Sequence, residues 1–130
     1  MVLGMLIAMA ASSAPMIESA SGDWSNIPVM PSTTQLMLGT NAMKGIDRAV
    51  AQGKCPQLGN KRRIRLDVPV LVQYEANGVK RVVIAKIGCP EVEAIVGNAT
   101  WQSAAAGRFR PSGINQTGWY RSEISYRSDD

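Results

Sequence analysis

Two neighbouring stretches in the second half of the chain alternate between apolar and polar positions, and a helical period follows them. Over residues 66–75, Val68, Val70, Val72 and Tyr74 fall on one face while Asp67, Gln73 and Glu75 fall mostly on the other. A period of two is the mark of a strand. Asn77-Gly78 comes next, a dipeptide suited to the two positive φ values of a type I′ turn, whose twist matches paired strands. The return run, 79–87, alternates less cleanly, because Val82 and Ile84 oppose Val83 and Ala85. Such a strand is covered on both faces or paired centrally.

The helix predicted after this hairpin has legible ends. Pro90 suits the first helical position, where its missing N–H costs nothing, and Glu91 and Glu93 favour the positive end of the helix dipole. Val92, Ile95, Val96, Ala99 and Ser103 recur at helical spacing as a stripe to lay on a sheet. Gly107 and Pro111 stop the run. Residues 119–126 alternate again, with Tyr120, Ile124 and Tyr126 facing one way. Upstream, with Thr40 or Asn41 as a polar cap, Ala42, Met43, Ile46, Ala49 and Val50 give a second helix up to Gln52, ended by Gly53. Residues 16–26 read as loose, and Trp24, Ile27, Val29 and Met30 are placed to pin an extended arm to the domain. The whole is the order of a small α+β domain.

At 67–126 the chain resembles the C-terminal domain of TonB-family energy transducers. The residues that carry the likeness are Val-Pro-Val-Leu-Val-Gln-Tyr in the first strand, Asn77-Gly78-Val79 at the hairpin, Arg108-Phe109-Arg110-Pro111 after the helix, and the aromatic last strand. The likeness covers a little under half of the 130 residues. It implies a sheet of about three antiparallel strands with two helices packed on one face, in the bacterial envelope. The pattern also departs from that family. Only seven prolines occur and none in a run, so there is no proline-rich spacer. The tyrosine-proline motif before the first strand is missing, and Gly88-Cys89-Pro90 replaces the usual serine-glycine link. A free-standing relative is the expectation, with 1–22 as a signal-like apolar segment and loose arm and 23–130 as one domain.

The cellular address rests on the start of the chain and on its cysteines. Residues 2–11 are apolar and Ser-Ser-Ala follows, which resembles a secretory signal without its basic start; a buried N-terminal helix is the alternative. The run is shorter than the roughly 20 apolar residues that a bilayer span needs, so no transmembrane span is expected. The location implied is periplasmic or secreted. The chain has two cysteines, Cys55 and Cys89, and no histidine. In an oxidising compartment an even pair reads as a disulfide, here joining the end of one helical segment to the start of the other; two free buried thiols are the alternative. Two thiols alone make a poor zinc site, and neither a metal nor a cofactor is expected.

Charge adds one more candidate. The net charge is +4, and its densest run is Lys61, Arg62, Arg63 and Arg65. That run is either a solvated turn or a basic surface for an anionic polymer. Nucleic acid is disfavoured by export and by an aromatic content of 5%, too sparse for base-stacking platforms. No histidine base, nucleophile elbow, phosphate-binding glycine loop or separated carboxylate pair is visible, so no catalytic residue is assigned and the chain is not expected to be an enzyme.

The expected function is therefore protein–protein contact. An extended peptide would add to the open edge of the last strand, formed by Trp119, Tyr120, Arg121, Ser122, Glu123, Ile124, Ser125 and Tyr126. The partner would be a protein or peptide of the bacterial envelope, an outer-membrane receptor among the candidates; the oligomeric state is left open. Arg121 reads as a rim charge that acts mainly on association rate. The alternative is a disulfide-stapled envelope structural protein that holds an anionic polymer on its basic surface.

Overall fold

The structure is a computed structural model and describes residues 16–30, 38–60, 62–76, 78–106 and 117–129. The described chain runs β1 (Ile17–Ala20), α1 (Thr40–Ala51), a 3-10 turn (Pro56–Leu58), β2 (Gly59–Asn60), β3 (Arg63–Glu75), β4 (Gly78–Ala85), α2 (Pro90–Ala105) and β5 (Gly118–Asp129). β3 lies at the centre, antiparallel to β4 on one side and to β5 on the other. β2 pairs with the first residues of β3, and β1 lies parallel to the far side of β4. The architecture is α+β, but the expected sheet of about three antiparallel strands is corrected to a mixed sheet of five strands.

The extra parallel strand comes from residues 16–26, which read as loose. Val82 N–H donates to the Met16 carbonyl at 2.9 Å and Lys86 N–H to the Ala20 carbonyl at 3.1 Å, so Ile17–Ala20 covers the edge of β4. The Ile17 side chain sits against α2 at Gly97, where a Cβ would stand 2.5 Å from Ile17 Cγ2. A strand of four residues is too short to leave a period in the sequence. With β1 in place, β4 is paired along both edges, and Val82, Val83 and Ile84 are buried on its two faces.

The hairpin closes one residue earlier than the sequence suggests. Glu75 pairs with Gly78, so Gly78 (φ 129°) flanks the turn; Asn77 lies outside the described residues. The register then shifts between Gln73–Arg81 and Tyr74–Val79, leaving Lys80 as the extra residue of a bulge. The bulge turns Val79 to the face of Tyr74 and the main core, a change of phase that simple alternation cannot anticipate. Pro69, with no N–H to give, lies one residue beyond the last β3–β4 pair, where no strand requires a donor.

Both helices pack on one face of the sheet. Ile64, Leu66, Val68, Val70, Val72 and Tyr74 of β3 point to them and are buried, joined by Ile124 from β5 and Ile84 from β4. α1 contributes Ile46, Ala49 and Val50, as its period predicts, and ends before Gly53, which takes φ 77°. α2 begins at Pro90 as expected, but its buried stripe is Val92, Glu93, Val96, Gly97, Thr100 and Ala104. Ile95, Ala99 and Ser103 are only half-buried, so the stripe is rotated from the expected one. The predicted exit from this helix, residues 107–111, lies outside the described residues, as does the signal-like start.

Cys55 and Cys89 form a disulfide, both buried, with Cα atoms 5.6 Å apart and a sequence separation of 34. It ties the exit of α1 to the entry of α2, as the cysteine pattern predicts. Gln57 in the 3-10 turn reinforces the junction by donating to the Ile87 carbonyl at 2.8 Å.

Candidate functional site

β5 is the outer long strand on its side of the sheet, and the alternation of a strand sorts its residues into three directions. Tyr120, Ile124 and Tyr126 turn toward the helices, as the sequence predicts. Tyr120 meets Tyr74 edge-on with ring centroids 6.4 Å apart, and the Tyr126 hydroxyl donates to Asp47 of α1 at 2.8 Å. Burial, the hydrogen bond to Asp47 and its negative charge push the Tyr126 phenol above its ordinary pKa. These contacts hold β5 against the core along its inner side. Trp119, Arg121, Glu123 and Ser125 lie on the opposite face of the sheet.

The third direction is in the plane of the sheet, and the main chain decides it. Arg121 N–H donates to the Pro28 carbonyl at 2.8 Å and the Arg121 carbonyl accepts from Met30 N–H at 2.9 Å. The N–H and C=O of Arg121 therefore point away from β3. By the alternation of a strand, those of Trp119, Glu123 and Ser125 do so too, whereas those of Tyr120, Ser122, Ile124 and Tyr126 point toward β3. So the eight residues predicted as one docking edge divide: the odd-numbered ones present the edge and the even-numbered ones hold it in place.

One position of that edge is occupied by the chain itself. Val29 forms a parallel bridge with Arg121, and the Arg121 guanidinium Nε donates to the Ile27 carbonyl at 2.7 Å. Met30 is buried in the helix-side core and Val29 is 59% exposed. The arm expected from Trp24, Ile27, Val29 and Met30 is thus pinned to the domain. Its anchor, Arg121, is a structural donor as well as a rim charge, which no sequence signal announced. Among the described residues, no strand pairs with the outward side of β5 from Glu123 onward.

Residues 17–30 run from one edge of the sheet to the other. β1 lies beyond β4, and residues 28–30 lie beyond β5, a separation of roughly 19 Å at the usual strand spacing. Residues 21–27 make that crossing. The helices occupy one face of the sheet, and Leu71 and Val83 belong to the other by strand alternation. There Leu71 and Val83, both 6% exposed, are buried outside the helix-side cluster. Glu18 and Arg81 pair on that face at 3.5 Å.

The basic run is distributed differently from its appearance in the sequence. Lys61 lies outside the described residues. The Asn60 side chain accepts from Arg62 N–H at 2.8 Å and Arg63 N–H at 3.1 Å, which makes this stretch a tight turn between β2 and β3. Arg65 is opposite Arg127 of β5, and the two share the Asp67 carboxylate at 3.8 and 3.6 Å. Asp67 also accepts from Ser125 at 2.7 Å. Asp67 thus meets one arginine of the run, Arg65, and Arg127 of β5 joins the cluster.

Two clefts among the described residues are further candidates. One, of about 570 Å³, opens between the start of α1 and the end of α2 and is lined by Thr40, Asn41, Gln102 and Ser103 among others, with no acid or base among the described residues. The second, of about 460 Å³, lies between β1 and α2 and includes Glu93 and Lys86. Glu93 is only 5% exposed, and one of its oxygens accepts from Ile87 N–H at 2.9 Å and Cys89 N–H at 3.3 Å. Burial pushes its pKa up, but the bonds from Ile87, Ser19, Cys89 and Gly88 together outweigh this and hold the carboxyl below the ordinary glutamate range. Its capacity is used in joining β4 to α2. Among the described residues no helix is long and apolar enough to cross a membrane.

No family model matches the chain, and neither the curated proteins nor the solved structures contain a match.

Proposed function

We propose that the domain is a protein–protein docking module of the bacterial envelope that takes up an extended peptide on the outward edge of β5. The observation that carries this reading is the pair of main-chain bonds between Arg121 and residues 28–30: the edge already holds an extended segment by strand addition. The intramolecular disulfide suits an oxidising, extracytoplasmic compartment. Resemblance of residues 67–126 to TonB C-terminal domains supports a partner among outer-membrane receptors and a role in their transport. The basic-surface alternative is weaker, because the Asp67 carboxylate lies between Arg65 of that surface and Arg127.

Two proline variants test this proposal. Ser125→Pro removes an outward N–H and should leave the melting temperature within a few degrees of wild type while abolishing retention of the envelope partner in pull-down. Ser122→Pro removes an N–H that faces β3, opposite Val70, and should lower the melting temperature substantially. Retention by the folded Ser125→Pro protein, together with loss in Arg62→Ala/Arg63→Ala and a steep fall of binding with salt, would overturn strand addition in favour of the basic surface.

A further inference from the structure

We propose that residues 27–30 are a built-in ligand of the β5 edge, and that they define the peptide that displaces them. The proposal rests on the docking reading above. The segment Ile27-Pro28-Val29-Met30 lies parallel to β5 and is held by three hydrogen bonds that all involve Arg121. Residues 28 and 30 turn their main-chain groups toward β5, as the Pro28 carbonyl and Met30 N–H demonstrate. Met30 supplies the side-chain anchor, 8% exposed within the core cluster, while Val29 faces solvent.

This self-ligand lacks one ladder donor. The N–H that residue 28 would direct toward Trp119 is absent, because residue 28 is proline. On the other side, the Met30 carbonyl and Glu123 N–H, next in line on the ladder, form no bond. A separate peptide with an ordinary residue at the proline position gains a ladder bond that the arm cannot make. The partner class is therefore an extended peptide running parallel to β5. It carries an N–H at the position of Pro28, a carbonyl for the Arg121 guanidinium before it, and an unbranched apolar side chain at the position of Met30. The arm holds the edge closed to weaker binders, so affinity is reduced by the fraction of molecules in which it is docked.

The test uses a fluorescein-labelled peptide with the sequence of residues 24–30 carrying Pro28→Val, extended by two threonines, and measures anisotropy against intact protein variants. Val29→Gly in the protein loosens the arm through its unfolded entropy without touching β5 or adding a donor, and Met30→Pro removes the arm's ladder donor. Each variant is first checked by thermal melting. The peptide is expected to bind the loosened proteins about tenfold or more tighter than wild type, and a peptide with Met30→Asp should bind none of them. Equal affinity for wild type and a folded loosened variant would overturn the self-ligand; if that binding is still lost in Ser125→Pro, the docking edge itself stands. No binding to any folded variant would also overturn the self-ligand, leaving the edge to be judged by pull-down alone. Self-association of the loosened variants on a sizing column without peptide binding would overturn it too, making the arm a guard against edge-to-edge aggregation.

Discussion

Removing the Glu93 carboxylate tests how β4 is joined to α2. In Glu93→Ala, Ile87 N–H and Cys89 N–H lose their acceptor at a site where Glu93 itself is 5% exposed. A hydrogen bond to a charged group contributes about 1.5–3 kcal/mol; the Cys89 bond, at 3.3 Å, belongs at or below the low end. A loss of about 2–4 kcal/mol is expected for the pair. Glu93→Gln keeps one carbonyl acceptor but turns an N–H₂ toward other donors, so it should lie between wild type and alanine. The pH dependence separates this account from simple loss of packing. The folded carboxyl titrates below its unfolded value, so the unfolded chain binds more protons between the two. The contribution is then fully present above the unfolded value of about 4.3 and is lost as pH falls through the folded one. Urea unfolding followed by tryptophan fluorescence at pH 7 and pH 3 measures both. The gap between wild type and Glu93→Gln should shrink at the lower pH. A gap that stays constant, or an alanine variant within about 0.5 kcal/mol of wild type, would refute the reasoning.

Two further outcomes follow from packing and cross-linking. Gly97→Ala places a methyl 2.5 Å from Ile17 Cγ2 and should cost about 1–3 kcal/mol; adding Ile17→Ala should recover part of that loss, measured by chemical denaturation. Cys55→Ala/Cys89→Ala opens the 34-residue link and should lower stability by about 3–4 kcal/mol. The intact mass of non-reduced wild type should be about two units below that of the reduced protein, one for each thiol hydrogen; two thiols free to alkylate would contradict the bond.

Much of the helix-side core was legible because one residue's period reports one buried face. Val68, Val70, Val72 and Tyr74 alternate in the sequence and are buried together; Ile46, Ala49 and Val50 recur at helical spacing and line α1. Pro90 and Gly53 announce a helix start and stop through backbone constraints that act locally. The rotated stripe of α2 was not legible, because Glu93 reads as a surface carboxylate until the loop N–H groups that enclose it are in place. The candidate edge was legible as a strand. Which of its residues face outward was not, since alternation assigns side chains to faces but leaves open which main-chain groups meet β3.

What the sequence determined by itself is whatever short-range chemistry specifies: the three long strands and two helices, the inward face of β3, β5 and α1, and a cysteine pair able to close. Tertiary structure decided the rest. Ile17–Ala20 became a strand only because β4 offered an unpaired edge and Gly97 left room for Ile17. Lys80 became a bulge because the hairpin had to bring Val79 beside Tyr74. Arg121 became an anchor because a carbonyl 94 positions earlier arrived at its guanidinium. These contacts join residues far apart in the chain, and their free energy depends on a partner's position, which no local pattern encodes.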